Sequence, residues 1–210
     1  MKKKLIGVVA ILSCQTALAG NLYIGAGFGS SKASDASNNI DSDISALASI
    51  GISSSASYDE SARSFSLLGG YQVNKNVAIE AAYDYLGTYQ FSGAASAGSA
   101  AAAGTEEDKV DAFSLSAVLS VNLTPTFSLY GKAGVAATED KLTCSITGST
   151  CQSESDSNTG PAFGAGGSVF LGDNSALRLE YDQFSDVGDK NNEYTAGNFS
   201  LLKLEFTYSI

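Results

Sequence analysis

Along most of this chain, apolar residues fall on every second position. Leu177, Leu179 and Tyr181 alternate with Arg178, Glu180 and Asp182. Further on, Leu202, Leu204, Phe206, Tyr208 and Ile210 alternate with Leu201, Lys203, Glu205, Thr207 and Ser209. A period of two is that of a β-strand, whose successive side chains point to opposite faces. Six earlier segments repeat it, with apolar faces at Leu22–Phe28, Phe65–Tyr71, Val77–Tyr85, Phe113–Val121, Phe127–Val135 and Phe163–Leu171. Each is about ten residues long, the length a tilted strand needs to cross the hydrocarbon of a membrane.

The connections alternate in length. Residues 72–76, 122–125 and 172–174 are short and rich in Asn, Asp, Gly and Pro, as tight turns require. Residues 31–61, 88–109, 138–159 and 186–197 are long and polar, and the Ala-rich run 94–104 is of low complexity. Short turns on one side and long loops on the other are the pattern of an outer-membrane barrel. The expected fold is all-β: an eight-stranded antiparallel up-and-down transmembrane β-barrel over residues 20–210, with four long extracellular loops.

Alternation alone does not say which face meets lipid, and a soluble barrel would bury the apolar one. The composition of the second face favours the membrane. In four of the segments it carries Ser, Gly, Ala and a few apolar residues, with no charge, whereas a water-facing surface is roughly 25–35% charged. Small residues suit the narrow interior of an eight-stranded barrel. The charges on this face, Glu80, Asp84, Lys132, Arg178, Glu180, Asp182, Lys203 and Glu205, are of mixed sign and are expected to pair inside the lumen. Aromatics gather toward both ends of the strands, as in interfacial girdles.

Residues 1–19 read as a Sec-type secretory signal: Lys2, Lys3 and Lys4, an apolar run from Leu5 to Leu12, then Ala17-Leu-Ala19. Cleavage is expected before Gly20. Loss of three Lys takes the net charge from -10 to -13, and so acidic a chain is not expected to bind nucleic acid. Cys144 and Cys151 remain as an even pair in an exported protein, which suggests a disulfide. The chain has no His, which removes a Ser-His-acid triad and weakens any general-base or zinc chemistry. Gly164-Ala-Gly166-Gly167 lacks the Lys-Ser/Thr of a phosphate loop. No enzyme activity, cofactor or metal is expected.

Arg178-Leu-Glu180-Tyr181 followed by Val187-Gly188-Asp189 resembles the seventh strand and fourth loop of the outer-membrane protein A transmembrane-barrel family. Glu80-Ala-Ala-Tyr83-Asp84-Tyr85-Leu86-Gly87 is similar to that family's third strand. The resemblance implies an interior ion pair between Glu80 and Arg178 that can obstruct a small pore, with a basic residue at Lys132. Gapless counting puts Val118 and Ser168 where the family has alternate charged partners, so a constitutive plug is expected rather than a charge-switch gate. Phe206, Tyr208 and Ile210 resemble the terminal tag read by the barrel-assembly machinery. The family's peptidoglycan-binding domain is not expected in this chain. The function expected is a structural, surface-display scaffold of the Gram-negative outer membrane, in contact with its lipid and lipopolysaccharide. An adhesin meeting a host surface ligand through the loops, or a narrow porin-like ion pore, stands as the alternative.

Overall fold

The computed structural model describes residues 22–33, 53–97, 100–146, 149–150, 154–187 and 197–210. The expected signal at 1–19, Cys151 and most of the expected loops 31–61 and 186–197 lie outside the described residues. The strands are β1 (Leu22–Ala33), β2 (Ser53–Tyr58), β3 (Ser61–Asn74), β4 (Val77–Ala97), β5 (Ala100–Thr124), β6 (Phe127–Ile146), β7 (Ser149–Thr150), β8 (Glu154–Phe170), β9 (Ser175–Val187) and β10 (Gly197–Ser209).

Eight of these form an antiparallel ring in the order β1-β3-β4-β5-β6-β8-β9-β10, closed by β10 pairing back on β1. Ala26 faces Phe206 and Ile24 faces Tyr208 across that closure. Closure leaves no sheet edge in the lipid, where unpaired backbone groups would be costly. β2 continues the line of β3 beyond Asp59 and Glu60 and pairs with the far end of β4. The turns after β3, β5 and β8 are tight. In the first, Asn74 Oδ1 accepts from the backbone N–H of Asn76 at 2.9 Å and of Val77 at 3.0 Å, an Asx turn that explains the choice of Asn there.

Two of the expected loops are largely strand. In the stretch 88–109, Thr88 pairs with Lys109 and the ladder runs on without a break to Ala97 and Ala100. In 138–159, Thr138 pairs with Asn158 and Leu142 with Glu154. Polar and small residues fail to mark these positions as strand because no lipid lies outside them. Their backbone groups still gain partners by continuing the ladder, and no Pro stands between residues 88 and 109 to interrupt it.

The apolar positions face outward as expected: Leu119 is 63% exposed and Phe28 68%, while Ser116 on the opposite face is 4% exposed. Burial therefore lies inside the barrel. The interior has two kinds of content. Toward the tight turns it is polar and charged. Toward the other end an apolar layer fills it, formed by Ala33, Leu86, Tyr89, Val110, Ala112, Ala136, Ala162, Phe184, Val187, Phe199 and Leu201, with Ala62 packed against them. Every strand of the ring contributes to this layer.

Candidate functional site

All eight expected interior charges are buried and meet in one network. Glu80 and Asp84 come from β4, Lys132 from β6, Arg178, Glu180 and Asp182 from β9, and Lys203 and Glu205 from β10. Their spacing of two within each strand puts them on the lumenal face together. In the ring order β4 and β9 are four strands apart in either direction, so contact between Glu80 and Arg178 spans the barrel.

Arg178 is the hub. Its Nη1 donates to Glu80 Oε2 at 2.7 Å and its Nη2 to Glu180 Oε2 at 2.6 Å. Its Nε donates to the Tyr130 hydroxyl at 3.0 Å and lies 3.6 Å from Glu205 Oε2. The guanidinium also stacks over the Tyr130 ring, 4.5 Å from its centroid, a contact open to Arg because the group is planar and weakly hydrated. Lys132 Nζ reaches Glu180 Oε1 at 2.5 Å and Asp182 Oδ1 at 3.0 Å, with Glu80 Oε1 at 3.8 Å. Lys203 Nζ lies between Asp84, Asp182, Glu205 and Glu180 at 2.9, 3.0, 3.1 and 3.2 Å.

Two tyrosines and a serine complete the network. Tyr23 donates to Glu80 Oε2 at 3.0 Å, Tyr130 donates to Glu180 Oε2 at 2.7 Å, and Ser66 donates to Asp84 Oδ1. The sequence pattern places Tyr23 and Tyr130 on the inner face but gives no sign of these bonds; an inward tyrosine level with a charge is the available clue. Glycines make the room. A Cβ at Gly164 would fall 2.1 Å from Asp182 Oδ1, and one at Gly166 would fall 2.5 Å from the Tyr130 hydroxyl. The glycine run of β8 is thus a wall that lets the network fill the lumen. Val118 lies beside Lys132 and Ser168 beside Arg178 in the ladder, so neither neighbour offers a second charged partner.

Such a network binds its own members. Removing charges from water costs several kcal/mol each, and only dense pairing offsets that. Phe206, Tyr208 and Ile210 lie apart from it, on the outward face of β10 and at its end. Cys144 is half-buried in β6.

Beyond the apolar layer, in the extension of β5 and β6 past the lipid belt, lies a second acidic group. Burial pushes the Asp108 carboxyl up to about 9, aided by its hydrogen bond with Asp140 and the charges of Asp140 and Glu106. Asp140 is also raised, first by burial and further by Asp156, against a lowering bond from Asp108. This pair was not legible in the sequence, where residues 88–109 and 138–159 read as solvated loops.

Residues 17–210 match the family model described as the OmpA-like transmembrane domain. Outer membrane protein A of Escherichia fergusonii is 32% identical over 144 residues, covering 67% of this chain and 38% of that protein. The Shigella flexneri protein of the same name is 29% identical over 140 residues, with the same two coverages. The chain thus spans well under half the length of these curated relatives. Among solved structures, Neisserial surface protein A superposes with a TM-score of 0.58 at 15% identity, covering 90% of this chain and 97% of that one. Ail, the attachment invasion locus protein of Yersinia pestis, gives 0.51 at 18% identity with the same coverages. At such identities these two speak for the fold alone. The exposed apolar belt, the closed ring and the match over nearly the whole sequence agree: the protein is an integral β-barrel of the bacterial outer membrane, and the chain belongs to the OmpA-like transmembrane domain family.

Proposed function

We propose that this barrel serves as a scaffold fixed in the outer membrane, holding its outward strand extensions at the cell surface while its lumen stays closed. The supporting observation is the meeting of all eight interior charges in a buried network that crosses the barrel. Without His in the sequence, this network has no neutral-pH general base of the usual kind, and we assign it no catalysis. Planar-bilayer recording tests the closed state: long silent traces are expected, and a steady open level would overturn it. An epitope inserted between Ala97 and Ala100 should be detected on intact cells.

Lipopolysaccharide and lipid are the partners we assign to the apolar belt, and the barrel-assembly machinery to Phe206, Tyr208 and Ile210. Deleting Phe206 to Ile210 removes the residues that face Ala26 and Ile24. The truncated protein is expected to accumulate as periplasmic aggregate or fragments; normal outer-membrane yield would contradict the assignment.

A second reading, adhesion to a host surface, draws on the β4–β5 hairpin, whose ladder continues to Ala97 and Ala100 well past Tyr85 at the end of the apolar stripe. Whole-cell binding to immobilised extracellular matrix, with and without residues 88–109, separates the two readings.

A further inference from the structure

The charge network does not face the cell exterior directly. In three strands the residue two places outward from a network charge belongs to the apolar layer: Leu86 follows Asp84, Phe184 follows Asp182, and Leu201 precedes Lys203. Leu86 and Leu201 are fully buried and Phe184 is 1% exposed. Tyr89 stands among them, its ring edge-on to Phe199 with centroids 5.5 Å apart. Two polar side-chain atoms stand at this level, the Tyr89 hydroxyl and Ser31 Oγ, and they bond each other at 2.6 Å; the hydroxyl lies 3.3 Å from the Leu86 carbonyl oxygen, to which Ser31 Oγ also donates, so both are satisfied within the protein. Among the described residues, buried side-chain oxygens lacking hydrogen bonds lie below the layer, at Ser64, Glu80, Asp84, Ser116, Asp182 and Glu205, and in the strand extensions, at Ser54, Asp108 and Asp140; none belongs to a residue of the layer. A buried water needs two or more polar partners, and an apolar constriction stops ions by excluding water.

We propose that this apolar layer is a seal to water and ions in its own right, so that the lumen stays shut even when the charge network beneath it is dismantled. The inference rests on the closed-lumen reading and adds which residues close it.

The test compares four proteins in planar bilayers: wild type, the Glu80→Ala/Arg178→Ala pair, the Phe184→Ser/Leu201→Ser pair, and the protein carrying all four changes. The Glu80→Ala/Arg178→Ala protein is expected to stay as silent as wild type, and the fourfold variant to conduct. Conduction by Glu80→Ala/Arg178→Ala alone would overturn the proposal, as would silence of a correctly folded fourfold variant, its fold checked by heat-modifiable gel mobility. A second measurement serves where that variant fails to fold. A cysteine at Ser114, which lies below the layer and is 2% exposed, should react slowly with a charged thiol reagent in proteoliposomes. Leu201→Ser in the same protein should speed the reaction about tenfold or more as water enters; an unchanged rate would overturn the seal. Steady conductance by wild type would instead overturn the closed-lumen reading itself, and is distinguished by appearing before any substitution.

Discussion

Leu86 and Tyr89 stand three places apart on β4, yet both point into the lumen. A regular strand would send one of them into the lipid, because faces alternate with a period of two. The register between β4 and β5 slips between Tyr85 and Gly87, a bulge that resets the alternation. Gly87 has φ 112°, and a Cβ there would lie 2.4 Å from that of Ala62. Only glycine fits that conformation and that space. Gly87→Val should therefore cost about 1–3 kcal/mol, read by urea unfolding in lipid, and should release Tyr89 from its contact with Phe199. Unchanged stability would show that the bulge tolerates a side chain.

The sidedness of the barrel predicts different outcomes for two arginine substitutions. Leu119→Arg, on the outward face, should cost about 2–4 kcal/mol if it lies at mid-bilayer. Ser116→Arg instead crowds a filled lumen, so its cost is steric. Spin labels at the two positions report the difference: residue 119 should be the more accessible to oxygen dissolved in lipid, and the reverse order would invert the barrel.

Glu80→Ala and Arg178→Ala should each destabilise by roughly 3–5 kcal/mol, because either leaves a buried charge with fewer partners. The double variant should lose less than the sum, which a double-mutant cycle measures directly. Strict additivity would mean that the 2.7 Å contact contributes nothing of its own.

The Asp108–Asp140 pair predicts a pH dependence confined to the strand extension. The folded pKa of Asp108, about 9, lies above the unfolded value of about 3.9. The stabilisation from its neutral form is thus complete below about pH 4 and is lost as pH rises through the folded value. Amide protection in β5 and β6 outward of the Val110–Asp140 pair, taken relative to the intrinsic exchange rate at each pH, should be greater at pH 5 than at pH 9. Asp108→Asn should flatten that slope, since an amide keeps a donor toward Asp140 without ionising; a slope that persists would assign the effect elsewhere.

If Cys144 and Cys151 form the disulfide expected from the sequence, thiol labelling of the non-reduced protein should find neither. The ring between them is short, and the chain-entropy gain is at most roughly 2.5 kcal/mol. Replacing both with Ser should leave the barrel's gel mobility unchanged, and two reactive thiols would exclude the bridge.

The alternation of Leu177 to Tyr181 and of Leu202 to Ile210 was enough to read strand and face, and the small, mostly uncharged residues of the opposite face gave the sidedness, because a membrane barrel imposes one chemistry outside and another inside on every strand. The eight lumen charges were legible for the same reason. The apolar layer was legible where it keeps phase with the lumen charges, at Leu86 after Asp84, Phe184 after Asp182 and Leu201 before Lys203. Tyr89 and Val187 lie beyond changes of phase, and past the lipid belt an outward residue no longer has to be apolar, so alternation loses its meaning. The partnering of Tyr23 and Tyr130 depends on which strands face each other across the ring, and that becomes visible only with the ring closed.

The reach of the network has a consequence for the order of folding. Arg178 meets Glu80 across 98 residues of chain, and Lys203 meets Asp84 across 119. A sheet containing β1 to β6 alone would hold Glu80, Asp84 and Lys132 without any partner from β9 or β10. Carrying those charges into lipid in that state would incur the desolvation cost with little to offset it. Strand-by-strand insertion is therefore disfavoured for this sequence. Contacts so distant in sequence form late, which ties commitment to the membrane to the arrival of β9 and β10.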